Sequence, residues 1–289
     1  MVLLSQATPG GLRMRCFPSR GTVRALGRLF THLVFLAVVG PFFFLFFYMV
    51  WNSVRPDFLF FEPGVWRFEP TLANYRAVFS QTEILANVKN GVVVSGFATL
   101  IGLASGILTA YAIVRYGLRR LALAILVTRM IPYITALIPF WMMYRWLGLL
   151  NTYSGLVLAH LVITIPFAVW ILMGFFEDIP RELEEAALID GASRVQTFWR
   201  VLVPLVRPGI IAASILCFVF SWNNFQLALV LGGIDVNTAP VAVYKFAAAE
   251  GGSRGQMMAA ATLVTIPVFA MVLLVQKHMA AGLTVGGVK

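Results

Sequence analysis

The residues able to do chemistry in this 289-residue chain fall in three places. RELEEAALIDGAS, residues 181–193, packs three glutamates, an arginine and an aspartate into ten positions. SWNNF, residues 221–225, sets a hydroxyl and two amides beside aromatic rings within an apolar run. TRMIPY, residues 128–133, carries a single arginine in another such run. Amides that both donate and accept, next to flat rings, suit sugar hydroxyls and the apolar faces of sugars. The same groups also serve as hydrogen-bonding links between helices. No nucleophile–base pair or ligand cluster is visible. His32, His160 and His278 are scattered, and Cys16 and Cys217 are poorly placed to pair, so no metal site is expected. The phosphate-binding pattern G-x-x-x-x-G-K-[ST] is also missing, so no bound cofactor is expected on this chain.

The elements that must position these groups follow from composition. Sixty per cent of residues are hydrophobic and only 12% are charged, about half the soluble-domain norm of roughly 25%. Mean hydropathy is +0.86. A membrane span needs about 20 apolar residues, and six windows provide them: 29–50, 91–114, 121–143, 155–176, 209–231 and 257–275. Lipid offers no partner to open backbone groups, so each is expected to be a helix. The fold class is an all-α polytopic membrane protein with six transmembrane helices.

Arginine and lysine placement sets the orientation. One side collects fourteen of them, from Arg13 to Arg28, Arg115 to Arg120, Arg181 to Arg207, and Lys277 and Lys289. The other side holds seven, and Arg129 lies within a span. Both termini and the charged island are therefore expected in the cytoplasm, with the chain multi-pass in the cytoplasmic (inner) membrane. The net charge of +10 is explained by this bias, not by nucleic acid binding. The first apolar run is too long for a secretory signal and reads as an uncleaved span. Residues 1–28 form a cytoplasmic arm expected to be disordered.

A gradient-driven secondary transporter is the alternative in another class. Such proteins keep titratable carboxylates at mid-membrane, whereas all twelve Asp and Glu here lie outside the six windows. The polar residues inside the windows are the candidates for a translocation path: Arg129, Tyr133, Ser221, Trp222, Asn223 and Asn224. Pro132 and Pro139 are expected to kink the third span.

The island has strong local signals. Pro180 suits a first helical turn, and Glu182, Glu184 and Glu185 complement the positive helix start. Leu183, Ala186 and Ala187 recur at helical spacing. Gly191 permits a left-handed end, and Ser193 with Gln196 forms a capping-box pattern for a second helix. In that helix Val195, Phe198 and Leu202 share a face until Pro204 and Pro208. The first helix is acidic, so anionic headgroups would repel it. A small apolar face rimmed with carboxylates fits a basic protein partner instead.

EEAALIDGAS, continuing to VLVP, resembles the Glu-Ala-Ala loop in the permease subunits of binding-protein-dependent ABC importers. Glu185, Ala186, Ala187, Gly191 and Val201 to Pro204 carry the likeness. Further stretches resemble the second permease of maltose-type carbohydrate importers. They include Asn74-Tyr75 to Asn90, Ala110-Tyr111-Ala112 with Arg115, Ile131-Pro132, Leu147 to Thr152, and Pro166-Phe167. Gly174 to Phe176, Trp222-Asn223 and the Gly282 to Lys289 tail complete the set, over roughly residues 30–289. The resemblance implies a type I ABC importer permease fold and a role as transducer, not enzyme. Loop 177–208 would couple to an ATPase subunit through Glu184, Glu185, Ala186, Ala187, Asp190, Gly191 and Ala192. The implied partners are a homologous second permease, two ATPase subunits carrying ATP and Mg, an extracytoplasmic solute-binding protein and a sugar, in membrane lipid. By position, the Gly-rich loop 232–257 would reach towards the binding protein.

Overall fold

The computed structural model describes residues 20–285 except 63, 65, 82 and 249–252, without side-chain detail at 20–26, 81, 133 and 274–285. The chain divides into two compact units, residues 1–48 and 49–289. Helix α1 (Arg20–Ser53) supplies all that is described of the first. Its stretch Gly27–Ser53 has a mean hydropathy of 2.5, and no residue of its most apolar window is buried. Phe30, Phe42 and Phe43 are each about two-thirds exposed. Such a surface is compatible only with lipid or another apolar partner.

The second unit is organised by three helices. After α2 (Ala73–Gln81) comes α3 (Ile84–Tyr116), followed by α4 (Arg119–Thr128), α5 (Tyr133–Trp146) and α6 (Tyr153–Glu177). Helices α7 (Arg181–Ile189), α8 (Arg194–Thr197) and α9 (Val203–Leu205) lie between α6 and α10 (Arg207–Trp222). A π-helical turn at Phe198–Leu202 joins α8 to α9. Then follow α11 (Phe225–Leu231), α12 (Ala239–Ala248) and α13 (Arg254–Val285). Helix α3 packs mainly on α6, and both pack on α10.

The α3–α6 contact depends on a G-x-x-x-G pair. A Cβ on Gly102 would sit 2.6 Å from the Thr164 hydroxyl oxygen, and one on Gly106 would sit 2.5 Å from Ala168 Cβ. Helices in a membrane gain little from excluding lipid, so close backbone approach supplies the attraction. Thr164 adds a hydrogen bond from its hydroxyl to Ala98 O at 2.9 Å.

The six apolar windows do not all become single helices. Among the described residues four helices are long and apolar enough to cross a membrane, those over windows one, two, four and six. A bent pair, Arg194–Leu205 with Arg207–Trp222 at 71°, brings the count to five if taken as one span. The third window is broken, not merely kinked: α4 stops at Thr128 and α5 starts at Tyr133, with extended Pro132 as its cap. The residue before a proline is pushed out of the helical region, which places the break at Ile131. Pro139, by contrast, lies inside α5. The fifth window breaks at Asn223–Asn224, because the Asn224 side chain accepts from Leu227 N at 3.0 Å and starts a new helix.

Of the arm, residues 1–19 lie outside the described residues, and α1 begins at Arg20. The 232–257 loop contains α12, whose Ala239, Val241 and Ala242 are buried.

Candidate functional sites: the charged loop and the broken spans

The charged loop folds from local signals. Glu182 and Glu184 occupy the first turn of α7. Its end is a complete Schellman motif: Ala192 N donates to Ala187 O at 3.0 Å and Gly191 N to Leu188 O at 3.1 Å. Gly191 has φ +86°, a region that costs an L side chain about 1–2 kcal/mol. Ser193 and Gln196 then close a capping box, with Ser193 N donating to Gln196 Oε1 at 2.8 Å and Gln196 N to Ser193 Oγ at 3.3 Å.

No residue of α7 is buried. Glu185, Ala186, Asp190 and Gly191 are exposed, whereas Ala187 and Ala192 are half-buried. Glu184 behaves differently from its neighbour Glu185. Its Oε2 is 2.8 Å from Arg115 Nε at the end of α3, and the two side chains are only 15% and 8% exposed. Arg115 also donates from Nη2 to Ile179 O at 3.2 Å, just before α7 begins. One guanidinium therefore holds both the root and the first turn of α7. Tyr111 sits between Phe176 and Phe198 in tilted ring contacts, with centroids 5.8 and 4.9 Å away.

Phe198 and Leu202 enter the core at 6% and 0% exposure. Val195, expected on the same face, is 67% exposed. The π turn starting at Phe198 rotates the later residues relative to α8. Ile189, Val195 and Trp199 are apolar side chains left at 85%, 67% and 56% exposure. The same loop also exposes charge, at Glu182, Glu185 and Asp190 on α7 and at Arg194 and Arg200 beyond the turn.

The polar residues of the fifth window divide into core and surface. Ser221 is buried and shares a 2.6 Å hydrogen bond with His160 Nδ1. Trp222 is buried, stacked on Phe218 and pressed against Gly91, where an added Cβ would be 3.0 Å from the indole. Asn224 is the buried helix cap. Asn223 is exposed, its Nδ2 donating to Val219 O at 2.9 Å.

Arg129 lies at the other break. Its guanidinium carbon is 3.7 Å from the centre of the Phe167 ring and 5.2 Å from that of Trp170. Phe167 stacks on Phe220 with centroids 4.3 Å apart. Arg129, Phe167 and Phe220 border a cavity of about 360 Å³ between α5, α6 and α10, lined also by Ile131, Phe140 and Ile163. Tyr133 starts α5, and its side chain lies outside the described residues. Arg129 and Asn223 were singled out in the sequence by being polar in apolar windows. The aromatic wall at Phe167 and Phe220 had no such signal, because phenylalanine in a span is ordinary.

At the opposite end of α3 a second polar network appears. Asn90 Nδ2 donates to Asp235 O and Asn237 O, each at 3.0 Å, and Asn90 Oδ1 accepts from Tyr153 OH at 2.5 Å. Asn151, with φ +57°, accepts from Asp235 N at 2.8 Å through Oδ1 and donates from Nδ2 to the Asp235 carboxylate. Among the described residues no group of three or more His, Cys, Asp or Glu is placed to hold a metal ion.

Residues 98–285 match the family described as "Binding-protein-dependent transport system inner membrane component". The "Trehalose transport system permease protein SugB" of Mycobacterium tuberculosis is 37% identical over 225 residues, 76% of this chain and 82% of its own length. The "Trehalose/maltose transport system permease protein MalG" of Thermococcus litoralis is 33% identical over 251 residues, 84% of this chain and 90% of that protein. A chain from the crystal structure of a bacterial ABC transporter importing the acidic polysaccharide alginate matches with a TM-score of 0.71 at 22% identity. That match covers 93% of this chain and 99% of the other, and it shows the fold.

Proposed function

The chain belongs to the family of binding-protein-dependent transport inner membrane components, and we propose that it is the permease subunit of an ATP-driven importer for a saccharide. The proteins named for trehalose and maltose transport support the substrate class. The proposed assembly sets this chain beside a homologous second permease, two ATPase subunits and an extracytoplasmic solute-binding protein. ATP and Mg belong to the ATPase subunits in this reading. The chain sits in the inner membrane with both termini in the cytoplasm.

The observation that carries the coupling role is the exposure of α7. Helix α7 has no buried residue, and Ile189 at its end and Val195 and Trp199 beyond it are all exposed, so apart from Glu184 most of its surface is left uncovered among the described residues. Its surface suits a cleft on a partner: apolar area for burial and carboxylates for basic residues. Glu185 and not Glu184 is the carboxylate free to meet the ATPase, because Glu184 is held by Arg115. Ala186 keeps the approach close. Closure of the ATPase pair would then push α7, and through it the α3, α6 and α10 core.

The test uses Glu185→Lys and Gly191→Leu. A side chain on Gly191 has open space, with nothing within 4 Å, so the second variant acts through backbone strain at φ +86°. Both chains are expected to insert and co-purify with the second permease. Binding-protein-stimulated ATP hydrolysis and uptake in proteoliposomes are both expected to fall. Full stimulation and uptake in both variants would exclude α7 as the coupling element.

A further inference from the structure

Among the described residues the cation at the third-window break has no counter-ion: Arg129 lies over the rings of Phe167 and Trp170 and makes no side-chain hydrogen bond and no ion pair. None of the twelve carboxylates lies in any of the six apolar windows. A guanidinium remains charged in any protein setting. Cation–π contact offsets only part of the cost of placing a charge within a span. The planar group laid over a ring still presents its N–H edge, with donors spaced for a carboxylate or sulfonate.

Its surroundings resemble a ligand site more than a helix contact. The main chain is broken on both sides: α4 gives way to α5 at residues 129–132, and α10 to α11 at 223–224. Irregular backbone at membrane depth persists where it lines a cavity. The cavity here, about 360 Å³, falls within the usual 300–1,000 Å³ for small-molecule pockets, and it is mostly apolar with one placed charge. Phe167, halfway along α6, is sandwiched between the Arg129 guanidinium and the Phe220 ring, and Phe220, 43% exposed, offers its other face to the cavity, the kind of surface that takes the C–H face of a sugar ring.

We infer that this cavity is a saccharide site, and that the saccharide carries an acidic group, a carboxylate or a sulfonate, which Arg129 receives. The inference rests on the import reading above and deepens it. The Phe220 ring would hold the sugar's apolar face while the guanidinium edge, seated on Phe167, takes its anion. Neutral sugars would gain the first contact and not the second.

The assembled transporter in nanodiscs, containing this chain and its partner subunits, provides the test. Equilibrium dialysis is run with labelled methyl β-glucuronide, its 6-sulfonate counterpart, and neutral methyl β-glucoside. The wild type is expected to hold at least one anionic glycoside about ten-fold or more tighter than the glucoside, the gain usual for a charge-assisted pair over a neutral hydrogen bond. Carboxylate and sulfonate are told apart by which is held. Arg129→Lys should retain the preference in weakened form and Arg129→Gln should abolish it, while Phe220→Leu should weaken all three glycosides together. Equal binding of anionic and neutral glycosides by the wild type would overturn the inference and leave the import of sugars standing. Preference that survives Arg129→Gln would overturn it too. So would loss of the second permease from the Arg129→Gln complex, since the arginine would then be a counter-ion between subunits. Should Arg129→Gln fail to assemble at all, the Arg129→Lys and wild-type preferences decide.

Discussion

Removing either partner of the Arg115–Glu184 pair tests how the charged loop is held. Since α7 buries no residue, its lateral attachment rests on this pair and on the bond from Arg115 to Ile179 O. The two side chains are 8% and 15% exposed, so the charges meet largely out of water. Stranding one member of a fully buried pair costs about 3–5 kcal/mol. The loop margin is wetter than a core, which brings the figure here to about 2–3 kcal/mol. At about 1.4 kcal/mol per decade, that opens α7 roughly 30- to 150-fold more often.

Amide hydrogen exchange reads this directly, because local opening sets the exchange of helical amides. The amide of Asp190, bonded to Ala186 O at 2.9 Å, is a suitable reporter for the far end of α7. Arg115→Ala and Glu184→Ala should each accelerate it at least about ten-fold. The double variant strands no charge, so it should be no faster than the faster single variant. Wild-type exchange in both single variants would refute the reasoning. So would strictly additive effects in the double, since two independent losses carry no pair term.

Four other outcomes are expected. A reporter fused after Arg119 should be active only in the cytoplasm and one fused at Arg67 only outside; the reverse would overturn the orientation. Asn223→Leu should lower uptake without disturbing assembly, since the amide is exposed and, among the described residues, bonded only to Val219 O in its own helix; unchanged uptake would make it idle. Gly106→Val should lower the Tm of the solubilised chain, because the first added carbon would already fall 2.5 Å from Ala168 Cβ and overpacking costs about 1–3 kcal/mol; an unchanged Tm would mean that α3 and α6 pack some other way. Asn224→Ala should destabilise by about 1 kcal/mol through the lost cap of α11, read as faster exchange at Leu227 N, and equal exchange would exclude the cap.

What could be read in advance was local. Pro180, the acidic first turn, Gly191 and the Ser193–Gln196 pair act within a few residues of themselves, so the helix, the left-handed turn and the capping box of the loop were all visible as letters. The division of labour between Glu184 and Glu185 was not. Adjacent helical residues point about 100° apart, and which one turns inward depends on Arg115, far earlier in the chain. The broken windows failed for another reason. A hydropathy window averages some twenty positions, whereas a break is made by one residue, Pro132 in one case and the capping amide of Asn224 in the other. Both residues were on view, but averaging dilutes them. The G-x-x-x-G at 102–106 was likewise legible, and its pairing with Thr164 and Ala168 was not, because nothing in the letters says which helix lies opposite.

The two ends of the second unit are built for different work. At one end Asn90, Tyr153, Asn151 and Asp235 tie the start of α3, the start of α6 and the loop after α11 through side-chain bonds that leave little freedom. Gly233 tightens this end further: at φ +62°, an added Cβ would lie 2.6 Å from the Asn151 side-chain oxygen. At the other end α7 has no buried residue and is tied to α3 through the guanidinium of Arg115. Between the ends, α3 and α6 are locked by Gly102 and Gly106, so a force arriving at α7 has no soft joint to absorb it within that pair. The breaks at 129–132 and 223–224 are the places where backbone hydrogen bonding is already interrupted, and rotation there costs least. The first borders the cavity lined by Arg129, and the second comes three residues after Phe220 in its wall. If α7 couples to an ATPase as proposed, a push on it would be felt at this cavity, where the proposed substrate would be released.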